Sequence, residues 1–111
     1  MTRETLGQLE QLLMLAVARL GNEAYGAEIQ KMLEETAGRR ATIATIYVTL
    51  VRLEKKGYVE SRREGSTPVR GGKAKRYFRL TPKGVDALKD ARATLERMWR
   101  PVSRLSEFRA R

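Results

Sequence analysis

The hydrophobic period changes at Gly57, and this change constrains the fold more than any other feature of the sequence. Before Gly57, apolar residues recur at the three-to-four-residue spacing of helices, whereas residues 58–63 alternate as a strand does. A second strand-like run covers residues 75–80, after a loop that contains three glycines and a proline. The pattern predicts a β-hairpin with a long, basic loop, placed directly after a helix.

Three helices are predicted before the hairpin. The first extends from about Leu6 to Leu20 and is apolar all round, which indicates that it is covered on more than one side. The second runs from Tyr25 to about Ala37 and stops at Gly38. The third has Thr42 as its N-cap and runs to Lys56, with Gly57 after it. A helix-turn-helix followed by a hairpin is a winged helix, so we predict a mainly α fold with a small β-hairpin.

A long last helix is predicted after the hairpin. Thr81 suits its N-cap and Pro82 its first position, where the missing N–H costs nothing. Apolar residues then recur seven apart in two series, as in the seam of a coiled coil; they are Leu88, Ala91, Leu95, Met98, Val102 and Leu105. Pro101 should kink or end the helix near Arg100. We expect one compact domain, with a winged helix-turn-helix DNA-binding region over residues 1–81 and a dimerisation helix over residues 82–111.

Positive charge is concentrated in the middle of the chain. The formal net charge is +10, and residues 39–83 alone hold 13 Lys and Arg against three Glu. Residues 1–38 carry more acidic than basic side chains. A concentrated positive segment is typical of a protein that binds a polyanion, although a merely solvated surface can also carry it.

Several function classes are disfavoured by composition. The sequence has no Cys and no His, which removes disulfides, thiolate zinc sites, thiol nucleophiles and the commonest metal ligand and general base. It also lacks a Gly-rich phosphate loop, so we expect no catalytic site, no metal and no cofactor. The longest apolar run, residues 12–18, is far shorter than the roughly 20 residues that span a bilayer, and no signal-peptide pattern is present. A cytoplasmic protein with no membrane contact is expected.

The third helix and the hairpin carry the candidate nucleic-acid contacts. On a helical wheel, Ile43, Ile46, Leu50 and Leu53 form the inward face. The opposite face has small residues near its start and cations near its end, which suits the major groove because hydroxyls, methyls and guanidinium groups can reach base edges. The candidates of this helix are Thr42, Ala44, Thr45, Tyr47, Val48, Thr49, Arg52 and Lys55. The candidates of the hairpin, or wing, are Arg62, Arg63, Arg70, Lys73, Lys75 and Arg76. An ordinary amphipathic helix that happens to lack exposed acids is the alternative.

Three stretches resemble the PadR family of winged-helix transcriptional regulators, over nearly the whole chain from Leu6 to about Val102. They are residues 6–29, from LGQLE to YGAEI, residues 45–59 (TIYVTLVRLEKKGYV) and residues 75–84 (KRYFRLTPKG). The resemblance implies a homodimeric repressor that binds a palindromic double-stranded DNA operator, with Tyr47 and its neighbours at the DNA and the last helix forming the dimer. Val48 departs from the family, which often has Pro or Arg there, and the single final helix matches the family's shorter branch.

Trp99 suggests a small-molecule effector. It is the only Trp and follows Met98 of the seam, where a large aromatic side chain is suited to anchor a dimer contact. Together with Leu12 and Leu15 of the first helix, it can also line a cleft that stacks a flat, cationic ligand. Some members of the family that the chain resembles sense planar drugs in this way. A planar effector is therefore a second hypothesis for this position.

Two other function classes stay open. A non-specific nucleic-acid-binding protein, of the nucleoid or RNA-binding type, would use the same positive segment but show almost no sequence preference. A protein-interaction module would use the last helix to recruit another protein, and the isolated chain would then be monomeric and without DNA affinity.

Overall fold

The computed structural model describes residues 5–64, 75–100 and 102. Within them the predicted order of helices and hairpin is confirmed, with one 3-10 turn that the pattern did not indicate. The elements are α1 (Gln8–Leu20), the 3-10 turn (Gly21–Glu23), α2 (Gly26–Ala37), α3 (Ile43–Lys55), β1 (Val59–Glu64), β2 (Lys75–Leu80) and α4 (Pro82–Trp99). The predictions for Pro101 and Leu105 lie outside the described residues.

The helix ends follow the local signals of the sequence. The Thr42 hydroxyl accepts a hydrogen bond from the Thr45 N–H at 3.1 Å, and the Thr81 hydroxyl does the same for the Gly84 N–H at 3.0 Å. Each threonine thereby satisfies one of the N–H groups that the first turn of a helix leaves without a partner. Gly57 adopts φ 83°, a left-handed conformation that ends the run of α3 without the cost that a Cβ would add.

The core lies where the first three helices meet the hairpin. Its fully buried side chains come from α1, α2, α3, β1 and β2, and the largest are Leu13, Met14, Ile29, Leu33, Ile46, Leu50, Leu53 and Phe78. The inward face predicted for α3 is therefore confirmed in three of its four residues. The fourth, Ile43, is 38% exposed, because it is the first residue of α3 and lies at the rim of the packed face.

The hairpin gains a third pairing partner from the chain before α2. β1 and β2 are antiparallel, with Val59 opposite Leu80 and Glu64 opposite Lys75. On the other side of β2, the Phe78 N–H donates to the Ala24 carbonyl at 2.9 Å and Tyr25 forms a bridge with Tyr77. The start of α2 is therefore fixed to the wing. This pairing cannot be predicted from the residue pattern, because two residues are too few to show a strand period.

The first turns of α4 are part of the same packed body. A Cβ at Gly84 would lie 2.0 Å from the Tyr58 carbonyl oxygen, so only glycine allows the helix to approach the chain this closely. Ala87 and Leu88 then pack against the core. Leu88 of the predicted seam therefore packs within its own protomer, because this close approach presses the second turn of α4 against the domain.

Candidate nucleic-acid interface

The outer face of α3 presents a neutral start and a basic end. It consists of Ala44, Thr45, Val48, Arg52 and Lys55, all of them exposed. Neither Arg52 nor Lys55 has an ion-pair partner among the described residues. Their guanidinium and ammonium groups are therefore available to an external anion or to base edges.

The first turn of α3 carries a pair of hydroxyl groups. Besides capping the helix, the Thr42 hydroxyl donates to the Thr45 hydroxyl at 3.0 Å, and both side chains are exposed. Hydroxyl groups at the N-terminus of a helix are placed where the helix dipole favours an anion, such as a phosphate of a nucleic acid backbone.

Two predicted contact residues of α3 have other partners in the structure. Thr49 is only 6% exposed, and its hydroxyl donates to the Thr45 carbonyl at 2.8 Å, which corrects its prediction as a contact residue. Tyr47 is half-buried, with its ring centre 6.1 Å from that of Phe78 and its hydroxyl oxygen 3.0 Å from the position of a Cβ at Gly26. Its ring therefore acts as a spacer between α2 and α3. The wheel places both residues on the flanks of the outer face, where neighbouring elements cover them.

Arg76 connects the wing to α3 instead of pointing away from the protein. Its guanidinium group lies 2.6 Å from a Glu54 carboxylate oxygen and 3.1 Å from the Ser61 hydroxyl, and that hydroxyl donates to Glu54 at 2.8 Å. The side chains of Arg76 and Glu54 are 28% and 31% exposed. Arg76 stays a predicted nucleic-acid contact, and in the protomer its charge is paired with Glu54. This three-residue joint fixes the angle between the wing and α3.

Two of the remaining cations predicted for the wing lie near tyrosine rings, and one of them, Arg62, also lies 3.2 Å from a Glu64 carboxylate oxygen. The Arg62 guanidinium lies 4.9 Å from the ring centre of Tyr77, and the Lys75 ammonium lies 4.4 Å from that of Tyr25. Arg63 is exposed and has no ion-pair partner among the described residues. Tyr25 and Tyr77 were not among the predicted residues. Tyr77 could have been found, because it lies two residues after Lys75 in β2 and therefore on the same side of the hairpin. Arg70 and Lys73 lie outside the described residues.

The C-terminal end of α3 is held by α1 and α4. The Lys56 ammonium lies 3.2 Å from a Glu10 carboxylate oxygen, in a pair whose side chains are 22% and 13% exposed. The Lys83 ammonium donates to the Lys56 carbonyl at 2.8 Å. Sequence reasoning missed this cluster, because the two partners of the ion pair are 46 residues apart.

The second half of α4 exposes apolar side chains in the protomer. Leu95 is 53%, Met98 70% and Trp99 55% exposed, while Ala91 and Val102 are half-buried. A groove of about 720 Å³ between the start of α1 and α4 has Leu6, Gln11, Ala87, Ala91 and Leu95 among its lining residues. Trp99, Leu12 and Leu15 do not line this groove, so it is not the cleft predicted for an effector. Among the residues that the structure describes, no cluster of acidic side chains could hold a metal ion.

Comparison with known proteins identifies a consistent group of relatives. The model of the family described as "Transcriptional regulator PadR-like family" matches residues 14–90. The chain is 38% identical over 81 residues to transcriptional regulator Rv3488 of Mycobacterium tuberculosis, which is 73% of this chain and 71% of the relative.

Solved structures of similar fold come from the same group. A PadR-like transcription factor from Bacteroides fragilis is 27% identical with a TM-score of 0.70, over 89% of this chain and 90% of that one. A PadR family transcriptional regulator from Eggerthella lenta is 29% identical with a TM-score of 0.66, over 90% of this chain and 87% of that one. The family match begins within α1 and ends within α4, so it contains the whole of α3 and the wing.

The joint between α3 and the wing generates a prediction about stability. Glu54→Ala and Arg76→Ala should each lower the free energy of unfolding, and a double-mutant cycle should give a coupling of about 1 kcal/mol, because the pair is partly shielded from water. The control is the Glu60–Arg79 pair, whose side chains are 49% and 73% exposed. The coupling energy of this exposed pair should be at most roughly a few tenths of a kcal/mol. Chemical denaturation of the seven proteins measures both cycles, and equal couplings would contradict the assignment.

Proposed function

Because the chain belongs to the PadR-like family of transcriptional regulators, which bind DNA and are not enzymes, we propose that it is a homodimeric repressor acting on a palindromic operator. The observation that carries the proposal is the outer face of α3. Within the part of the chain that the structure describes, its two cations have no ion-pair partner, whereas three of the five cations on the strands of the wing do. A face of this kind fits the major groove, and the wing fits the adjoining phosphates.

The proposed contacts fall into two groups with different roles. The outer face of α3 reads base edges, with Arg52 suited to a guanine because its guanidinium group can donate two hydrogen bonds to O6 and N7. Arg62, Arg63 and Lys75 of the wing, together with Arg70 and Lys73, hold the protein on the backbone and carry no sequence information. Thr42 and Thr45 belong to this second group and bind a phosphate at the start of α3, so the base edges are read by the rest of the outer face.

A dimer is proposed from the apolar surface of α4. In the protomer, Leu95, Met98 and Trp99 are exposed on one helix, and Leu15 is 47% exposed on α1. A two-fold axis would bury these side chains together and place two copies of α3 at a fixed separation, as a palindromic site requires. In this arrangement residues 1–81 contact the DNA and residues 82–111 join the protomers, with Leu88 and Ala91 at the base of the seam.

We propose a cytoplasmic location, because a regulator must be in the same compartment as the operator DNA that it binds. Among the described residues, no helix combines the length and the apolar character needed to cross a membrane. The second candidate, a non-specific nucleic-acid-binding protein, is favoured only by the overall charge. It would not need an apolar Val48 beside Arg52, a cation that has no ion-pair partner in the described part of the chain.

The two groups of contacts should respond differently to substitution. Arg52→Ala should weaken binding to the operator by about 1–3 kcal/mol and relax the preference at one base position. Arg63→Ala should weaken operator and random duplexes by the same factor and lower the slope of log K against log salt by about 2 for a dimer. Lys89→Ala on α4 is the control and should change neither quantity. The measurement is fluorescence anisotropy between 50 and 200 mM salt, on an operator selected from a random library. Parallel losses on all duplexes for Arg52→Ala would reject base reading.

The dimer can be tested separately from the DNA contacts. Leu95→Asp should yield a folded monomer in analytical ultracentrifugation, because it places two carboxylates in the apolar seam. Operator affinity should fall by about 100-fold or more, since two linked half-sites bind far more tightly than one. Ala93→Asp introduces the same charge on the opposite side of α4 and should stay dimeric. A dimeric Leu95→Asp protein would place the interface elsewhere.

An effector is proposed to bind beside Trp99 in the dimer. Trp99 and its two-fold copy, with Leu12 and Leu15, would stack a planar cationic ligand. Such a ligand releases DNA only if it binds more tightly to a dimer whose α3 helices are wrongly spaced for the operator. Titration with planar cationic dyes should therefore quench Trp99 fluorescence more strongly without operator than with it. Unchanged emission, or equal quenching in both states, would leave Trp99 as an interface side chain only.

A further inference from the structure

Val48 places a large apolar side chain at the centre of the outer face of α3. The C-terminal end of this face carries the cations Arg52 and Lys55. Val48 is 58% exposed and lies one helical turn from Ala44 on one side and from Arg52 on the other. A single exposed apolar residue is common on protein surfaces and needs no explanation by itself. Val48 differs because it occupies the middle of the face that the proposed function directs into the major groove.

The other exposed apolar side chains of the described residues have different positions. Leu15 belongs to α1, and Val85, Leu95, Met98 and Trp99 belong to α4. Ile43 is the first residue of α3 and points to the rim of the core. Val48 is therefore the large apolar group of the outer face of α3, and 58% of it stays exposed among the elements that the structure describes.

The major groove offers one kind of apolar partner for such a side chain. Base edges there present nitrogen and oxygen donors and acceptors, and the apolar exception is the methyl group on C5 of a pyrimidine. Valine branches at Cβ and in a helix keeps essentially one χ1 rotamer, so its two methyl groups are already held in place before binding. We propose that Val48 is a specificity-determining residue that recognises the C5-methyl group of a pyrimidine. This inference rests on the proposed function of α3 as the base-reading helix.

The position of Val48 relative to Arg52 predicts where this pyrimidine lies. Four residues of a helix advance about 6 Å along its axis, and successive base pairs of DNA are about 3.4 Å apart. The methylated pyrimidine should therefore lie within about two base pairs of the guanine that Arg52 contacts.

The methyl group can come from two bases. Thymine carries it always, and cytosine carries it only after methylation, so the second source would make binding sensitive to DNA methylation. Both place the methyl group at the same position of the groove, and the chemistry that Val48 recognises is the same.

The experiment uses the full chain and synthetic duplexes of the operator selected from a random library. Each thymine is replaced in turn by uracil, which removes only the methyl group, and each cytosine in turn by 5-methylcytosine. Equilibrium binding is measured for the wild type, for Val48→Ala and for the control Val85→Ala, which shortens an exposed valine on α4. Circular dichroism checks that all three proteins are folded, and Val48→Ala should be, because its side chain is exposed and alanine favours helices.

If Val48 recognises a C5-methyl group, the binding affinity should depend on the methyl group at one position in each half-site. With thymine as the source, uracil there should lower the affinity of the wild type about fourfold per half-site and about 15-fold when both half-sites are changed, as expected for burial of one methyl group at each. With cytosine as the source, methylation should raise affinity by similar factors. In either case Val48→Ala should show little of the effect, and Val85→Ala should show all of it.

Other results would overturn the inference while leaving the proposed function intact. Specific binding with no position sensitive to uracil or to 5-methylcytosine would reject methyl recognition. An equal methyl effect in the wild type and in Val48→Ala would assign the contact to another residue. Failure of the random library to yield any preferred sequence would instead reject the proposed function itself, and the inference with it.

Discussion

One side of α3 is anchored in the hydrophobic core by Ile46, Leu50 and Leu53. Their burial determines which side chains of α3 face outward. All three are fully buried, and burial of a side chain of this size contributes about 1.5–3 kcal/mol. Rotation of α3 about its axis would bring Arg52 or Lys55 into the core, at a cost larger than any surface contact could offset. The outer face of α3 is therefore fixed in direction by hydrophobic packing, before any ligand is present.

Ion pairs neutralise more of the positive charge on the wing than on α3. The three acidic residues between positions 39 and 83 are Glu54, Glu60 and Glu64, and each pairs with an arginine of the hairpin. Arg52 and Lys55 of α3 keep no such partner among the described residues. The result is a wing held in shape by its own ion pairs beside a helix whose cations are available. Of these pairs, the shielded one between Glu54 and Arg76 is the strongest candidate for fixing the angle between wing and helix.

The proposed dimer surface and the proposed DNA surface meet at the end of α3. Glu10 of α1 binds the Lys56 side chain, and Lys83 of α4 binds the Lys56 carbonyl. Both helices also carry the exposed apolar side chains assigned to the dimer. A change in the packing of α4 would therefore be transmitted to α3 through direct contacts, without passing through the core. This connection gives a physical route by which an effector near Trp99 could change the spacing of the two reading helices.

Features that depend on neighbours a few residues apart can be predicted from the amino-acid sequence alone. The caps at Thr42 and Thr81, the end of α3 at Gly57 and the strand period after it are all local, and the structure confirms them. The resemblance to a family also fixed the fold class correctly. Three other features became visible only in the folded chain: Arg76 binds Glu54, Thr49 is covered and Tyr25 pairs with Tyr77. These contacts join residues that are distant in the chain or lie under a neighbouring element, and a helical wheel or a charge count contains no information about which element comes to lie there. The sequence therefore determined which residue types face outward, and the packing of α2, α4 and the wing decided which of them are available for binding.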